Sequence, residues 1–203
     1  GVPAPSISGP GGLTKSGPGT LFIAGLSVGN SYTGPTTVTD GVLEAVRQGR
    51  SVSSNIVVTG SNSVLRTGRA GNQFVSAPTV LPKGASVSIE NGALWAMNGA
   101  NFETISRLVG DGRLQVSTGG ALTISNTVSC EFSGQISGSG ALNKLGLATF
   151  HVTGNSPGYT GLATVFDGTY KVDAQFLNSP VTVKNSSILR GMGVVGNVVV
   201  ESG

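Results

Sequence analysis

The sequence predicts an all-β chain wound as a parallel β-helix, a solenoid in which short strands stack in successive coils. Three observations predict this fold. Glycine accounts for 33 of the 203 residues, more than twice the usual share of about 7 per cent. Short runs of alternating apolar and polar residues recur along the chain, and two long phrases return in the same order far downstream.

Composition excludes the other broad classes of protein. Gly, Thr and Val disfavour helix relative to Ala, by up to about 1 kcal/mol per residue for Gly, which excludes an all-α fold. A hydrophobic fraction of 38%, a net charge of +3 and a mean hydropathy of +0.19 do not fit disorder. The 12 basic residues exceed the 9 acidic ones only slightly, so we expect no nucleic-acid partner.

The long repeat distinguishes a solenoid from an antiparallel sandwich. The run from Ile7 to Gly25 returns from Ile136 to Gly154, and both copies continue into a second shared phrase, SYTGPTTVTDG and GYTGLATVFDG. Each coil of a solenoid stacks on a near copy of itself, whereas hairpins have no need of such repetition. We therefore expect one solenoid, with a first copy at about residues 7–135 and a second at 136–203, cut short at its C-terminal end.

About twenty alternating runs separated by turn residues predict eight to ten coils if three strands make one coil. Strands of neighbouring coils are expected about 4.8 Å apart. Since successive side chains of a strand point to opposite faces, the alternation also predicts which residues lie inside. Those inward residues include Leu21, Val87, Leu114, Leu122 and Val198.

The repeated phrases identify a family resemblance. ISG-x-G-x-L-x-K, YTG-x-TTV-x-DG and the terminal ILRGMGVVGNVVVESG resemble the autotransporter-associated β-strand repeats of type V secretion passenger domains. The match covers both ends of the chain well and residues 67–100 poorly. The resemblance implies a right-handed, single-stranded β-helix that is secreted or displayed on the bacterial cell surface. It also implies that contact with a membrane occurs only through an outer-membrane translocator barrel, which this sequence does not contain.

Two pairs of polar residues recur with the repeat. Asp40 and Asp167 suggest the carboxylate pair of a polysaccharide-cleaving β-helix, but they occupy equivalent places in the two copies, each directly before Gly. Asp followed by Gly suits a tight corner, so we predict that both are turn residues. Lys15 and Lys144 recur in the same way and are predicted to have a structural role beside a corner.

The remaining candidates for chemistry stand alone. His151 lies between inward Phe150 and Val152, so it is predicted to face outward without an acidic partner, as an ordinary surface residue. Cys130, on the inward parity with Val128 and Phe132, is predicted to be a buried small hydrophobe rather than a nucleophile. Trp95 is predicted to point outward between inward Leu94 and Ala96, where an indole would be free to stack on a sugar. The sequence therefore predicts no catalytic, cofactor or metal site.

One basic cluster suggests a ligand. Arg47 and Arg50 are followed by Arg66 and Arg69 after a shift of 19 residues, which is close to one coil. Stacked coils would bring the four side chains together, and the interval from Arg47 to Ala77 contains no acid. One interpretation of this cluster is a plain solvated face. The more specific hypothesis is a binding patch for an anionic glycan, lipopolysaccharide phosphate or a host surface.

These observations favour a non-enzymatic scaffold or stalk with an adhesive surface, as the passenger of an autotransporter-like protein. A β-helical polysaccharide-degrading enzyme and a phage or viral fibre shaft are the alternatives. A further expectation concerns the ends of the solenoid. Because terminal coils normally carry polar caps that this sequence lacks, we expect end-to-end self-association.

Overall fold

The computed structural model describes residues 6–23, 29–46, 51–68 and 79–201. These residues form 24 β-strands and no helix, and every pairing between the strands is parallel. The chain is a parallel β-solenoid of about nine turns, which confirms the predicted fold class and number of coils. A helix long and apolar enough to cross a membrane does not occur in these residues.

The largest sheet runs the length of the stack and contains ten strands. In spatial order they are β2 (Leu13–Lys15), β5 (Thr36–Val38), β7 (Asn55–Thr59), β9 (Ala85–Glu90), β11 (Phe102–Val109), β13 (Ala121–Ser125), β16 (Ala141–Leu145), β18 (Ala163–Val165), β21 (Val181–Val183) and β24 (Val198–Val200). The first half of β11 pairs with β13 and its second half with β9, and the register shifts between Ile105 and Arg107. This irregularity lies in the middle of the stack.

Two further sheets form the other faces. The six-stranded sheet contains, in spatial order, β15 (Gln135–Ser137), β12 (Arg113–Val116), β10 (Leu94–Met97), β8 (Ser63–Thr67), β6 (Gly41–Ala45) and β3 (Thr20–Ile23). The four-stranded sheet contains β14 (Cys130–Phe132), β17 (Thr149–Val152), β19 (Thr169–Val172) and β22 (Ile188–Arg190). Two short pairs complete the strands: β1 (Ser8–Gly9) with β4 (Ser31–Tyr32), and β20 (Gln175–Phe176) with β23 (Val194–Val195).

The core is a column of inward aliphatic and aromatic side chains. Val87, Leu114 and Leu122 are fully buried, as their alternation predicts. Leu21 is only half-buried, because β3 is the end strand of its sheet. The prediction for Val198 is wrong: it is exposed, because β24 is the end strand of the ten-stranded sheet and pairs only with β21.

A buried lysine closes one corner in each repeat copy. The Lys144 ammonium donates to the backbone carbonyls of Leu145, Gly146 and Asp167 at 2.8, 2.6 and 3.2 Å. Lys15 makes the equivalent bonds in the first copy, to the carbonyls of Ser16, Gly17 and Asp40 at 3.2, 2.5 and 2.9 Å. Three acceptors saturate an ammonium, which has three protons to donate. The structural role predicted for both lysines is confirmed.

The two aspartates shape the same corners. Asp40 Oδ1 accepts a bond from the Gly41 amide at 2.9 Å, and Asp167 Oδ1 accepts one from the Gly168 amide at 2.8 Å. Gly168 has φ of 67°, in the left-handed region, and a Cβ there would collide with the Gly146 carbonyl oxygen. Asp40 and Asp167 are therefore turn residues, as predicted.

Candidate functional site

The four-stranded sheet presents four ionisable side chains in one row. Strand register places Glu131 beside His151, His151 beside Lys171, and Lys171 beside Arg190. The strand neighbours of Glu131, His151 and Lys171 are buried in the core, and Leu189, before Arg190, packs against it. The row therefore faces outward by alternation. We call Glu131, His151, Lys171 and Arg190 the charged row.

His151 lies between two carboxylates. Its Nδ1 is 2.9 Å from Glu131 Oε2, and its Nε2 is 2.9 Å from Asp173 Oδ2. Each ring nitrogen therefore faces a carboxylate oxygen within hydrogen-bond distance. The side chain is 17% exposed. The predicted outward direction of His151 is confirmed. The predicted lack of an acidic partner is wrong, because its partners lie in the adjacent coils, 20 and 22 residues away.

Asp173 accepts hydrogen bonds from two side chains of the charged row and from one backbone amide. Its Oδ2 accepts from Lys171 Nζ at 2.7 Å as well as from His151, and its Oδ1 accepts from the Met192 amide at 2.8 Å. The bond from Lys171 contributes most to holding the pKa of Asp173 well below its usual range, and the Met192 amide adds to it. Asp173 is therefore negatively charged in the folded protein near neutral pH.

An open groove of about 340 Å³ follows the row. It is lined by Ser129, Cys130, Glu131, Thr149, His151, Lys171 and Arg190. Arg190 is exposed and makes no ion pair within the described parts of the chain. Among those same residues, no three His, Cys, Asp or Glu side chains form a group that would hold a metal ion. The groove thus has the chemistry of an anion-binding surface, with hydroxyls beside fixed positive charge.

Cys130 forms the inner wall of the groove. It is buried, as predicted, and burial raises the pKa of its thiol, which makes it a poor nucleophile. The inward position predicted for Val128 is wrong, since Val128 is exposed in the turn that precedes β14.

Glu103 is a buried carboxylate that the sequence analysis did not predict. Glu103 accepts hydrogen bonds from the Val80 and Leu81 amides at 2.9 and 3.0 Å and from Asn101 Nδ2 at 3.0 Å. Burial raises the pKa of Glu103 to about 7, although these three donors oppose the shift. The alternation of FETI contained the signal, because Glu103 stands at the same parity as inward Ile105.

Trp95 belongs to the same buried network, so its predicted outward position is wrong. The indole is fully buried and its Nε1 donates to Thr67 Oγ1 at 3.0 Å, which in turn donates to Asn101 Oδ1 at 2.9 Å. Leu94, predicted inward, is half-exposed instead. A buried indole needs an acceptor for its N–H, and Thr67 supplies one. Trp95 is therefore unavailable to stack on a sugar.

Only one member of the predicted arginine patch falls in the described residues. Arg66 lies in β8 opposite Glu44 of β6, and its guanidinium is 3.6 Å from the Glu44 carboxylate, with 42% of the side chain exposed. Arg47, Arg50 and Arg69 lie outside the described residues. The clustering of the four side chains thus stays a prediction.

Part of the chain matches a known protein family. Residues 13–45 match the family described as passenger-associated-transport-repeat. The matched segment runs from the start of β2 to the end of β6 and contains the Lys15 corner with Asp40 and Gly41. No curated protein and no solved structure matches the chain.

Proposed function

We propose that this chain, whose parallel solenoid and family match both fit a repeat of an autotransporter passenger, serves as a non-catalytic scaffold on the bacterial surface. One observation carries the proposal. The segment that matches the passenger repeat contains a lysine-closed corner, and the same corner recurs around Lys144 in the second copy. The two recurrent lysines hold corners of the coil, which supports a structural role for the repeat.

The placement of the carboxylates supports a role without catalysis. Glycoside hydrolysis commonly needs a pair of carboxyl groups, of which one is protonated and free to act as an acid. Asp40 and Asp167 instead bind the amides that follow them, and Glu131 and Asp173 both bind His151. Each of these four side chains is engaged in holding the protein's own backbone or a neighbouring side chain.

An adhesive role is the finer part of the proposal. Passenger domains are exported, so an outward face of this solenoid would meet glycans and other surfaces outside the cell. The predicted patch of Arg47, Arg50, Arg66 and Arg69 would be one such face, with anionic glycan or lipopolysaccharide phosphate as its ligand. Glu44 neutralises part of the charge of Arg66, so Arg66 by itself would attract an anion only weakly.

Two measurements test the scaffold. Incubation of the chain with anionic and neutral polysaccharides should release no reducing ends above a heat-denatured control. The complete gene product, expressed in a Gram-negative host, should be accessible on intact cells to an antibody raised against residues 79–201. Release of reducing ends would instead support the polysaccharide-degrading alternative, and a product confined inside the cell would contradict surface display.

A further inference from the structure

We propose that the charged row is a binding site for an acidic polysaccharide, with Arg190 and Lys171 as its cationic contacts. This site lies on the four-stranded sheet, whereas Arg66 of the predicted arginine patch lies on the six-stranded sheet. The proposal goes beyond the scaffold function and does not depend on the arginine patch.

The strand register brings the two cations together. Lys171 and Arg190 are paired residues of β19 and β22, so their Cα atoms stand on neighbouring strands about 4.8 Å apart. Lys171 projects outward, because Tyr170 and Val172 on either side of it are buried, and Arg190 is exposed. One anionic group, or two successive groups of one polymer, can therefore contact both side chains.

The charges of the row leave one cation free. Leaving His151 aside, the row and Asp173 contain two positive groups (Lys171, Arg190) and two negative ones (Glu131, Asp173). His151 bridges both carboxylates, and Lys171 binds Asp173. Arg190 alone has no acidic partner in the described parts of the chain. The attraction for an external anion is therefore strongest at the Arg190 end of the groove.

The groove supplies the contacts that a sugar requires. The Arg190 guanidinium presents a planar fork of donors that matches paired anionic oxygens such as those of a carboxylate. Further along the groove, the hydroxyls of Ser129 and Thr149 and the exposed carboxylate of Glu131 face the same space. A polysaccharide with carboxylate or sulfate groups fits this groove. Its anionic oxygens would contact Lys171 and Arg190, and its hydroxyls would contact the polar side chains along the groove.

Titration calorimetry on the whole chain tests the site. Three polymers are compared at low salt: polygalacturonate for carboxylate, dextran sulfate for sulfate, and unmodified dextran as the neutral control. We expect binding to at least one anionic polymer and none to dextran, and the binding should weaken as added salt screens the charges. The polymer that binds identifies the anionic group.

Matched variants locate the contact. Arg190→Gln is expected to weaken binding about tenfold, because it removes the unpaired guanidinium. Arg113→Gln removes the same charge from an exposed position on β12 of the six-stranded sheet and should leave the affinity unchanged. Lys171→Gln should also weaken binding, because it removes the second cation and leaves Asp173 without its lysine. Circular dichroism of each variant verifies that the solenoid is intact.

Three results would overturn the site: no binding to either anionic polymer, an unchanged affinity in Arg190→Gln, or an equal loss in Arg190→Gln and Arg113→Gln. The last result would mean that net charge alone attracts the polymer. None of them bears on the scaffold function, which is tested separately by reducing-end release and by surface accessibility.

Discussion

Replacing Lys144 by Met removes the donor from the buried corner while keeping a side chain of similar length. The lysine is 2% exposed, and its ammonium is bound to the carbonyl oxygens of Leu145, Gly146 and Asp167. Met fills much of the space of the lysine stem but donates no hydrogen bond. We therefore expect Lys144→Met to lower the free energy of unfolding through lost hydrogen bonds rather than through lost packing.

The magnitude follows from the three carbonyls. The Leu145 oxygen also accepts a bond from the Asn126 amide at 3.2 Å, so it keeps a partner in the variant. The part-buried Gly146 and Asp167 oxygens lose the ammonium, and loss of the donor to a buried acceptor costs up to about 1–3 kcal/mol. Burial of the ammonium lowers the pKa of Lys144, so removing the charge recovers part of this cost. A net destabilisation of about 2–3 kcal/mol is expected.

Urea unfolding followed by circular dichroism measures the change, and hydrogen exchange of the Gly168 amide tests whether the loss is local to the corner. Lys83→Met is the matched control, because Lys83 is exposed and its replacement should change stability by less than about 0.5 kcal/mol. Lys15→Met should destabilise the first copy by a similar amount to Lys144→Met. If Lys144→Met unfolds like Lys83→Met, the corner lysine does not stabilise the coil and the reasoning fails.

Three other predictions concern the buried network and the ends of the stack. Burial raises the pKa of Glu103 from 4.5 to about 7, so its contribution to stability is complete below about pH 4.5 and is lost as the pH rises through 7. The loss is about 3 kcal/mol by linkage, and urea unfolding at pH 5 and pH 8 should show it in the wild type but not in Glu103→Gln. Trp95→Phe leaves Thr67 without its indole donor. It should lower the free energy of unfolding, measured in urea, by about 1–3 kcal/mol. A change below about 0.5 kcal/mol would contradict the buried position of the indole. The exposed side chains of Met192 and Val198 support end-to-end association, which should appear as concentration-dependent species in sedimentation velocity; a monomer at all concentrations would contradict it.

The fold was predictable because its determinants are local and repeated. Alternation needs only neighbouring residues, and the recurrence of Lys15 as Lys144 indicates a corner without any knowledge of three-dimensional contacts. Trp95 was misplaced because a shift of one residue after a turn reverses the face of every side chain in a strand. The same sensitivity explains why Val128, in the turn before β14, does not point inward as predicted.

The charged row was harder to predict because it depends on the length of each coil. Glu131 and Asp173 lie 20 and 22 residues from His151 in the sequence and contact it from the neighbouring coils. The repeated phrases do not show that these three residues lie one coil apart. Once the strand register is known, Lys171 and Arg190 join the row with no further assumption. Residues that are ordinary when read along one strand thus become a site only when neighbouring coils are aligned.

The strands are longest in the middle of the stack, and this has a mechanical consequence. β7, β9 and β11 contain 5, 6 and 8 residues, whereas β2 and β24 at the two ends of the ten-stranded sheet contain 3 each. The inter-coil hydrogen bonds run along the solenoid axis, so a pulling force along this axis is transmitted through each interface in turn. The interfaces with the fewest bonds yield first. Tension is therefore expected to open the interfaces of the short strands β2 and β24 before those between β7, β9 and β11.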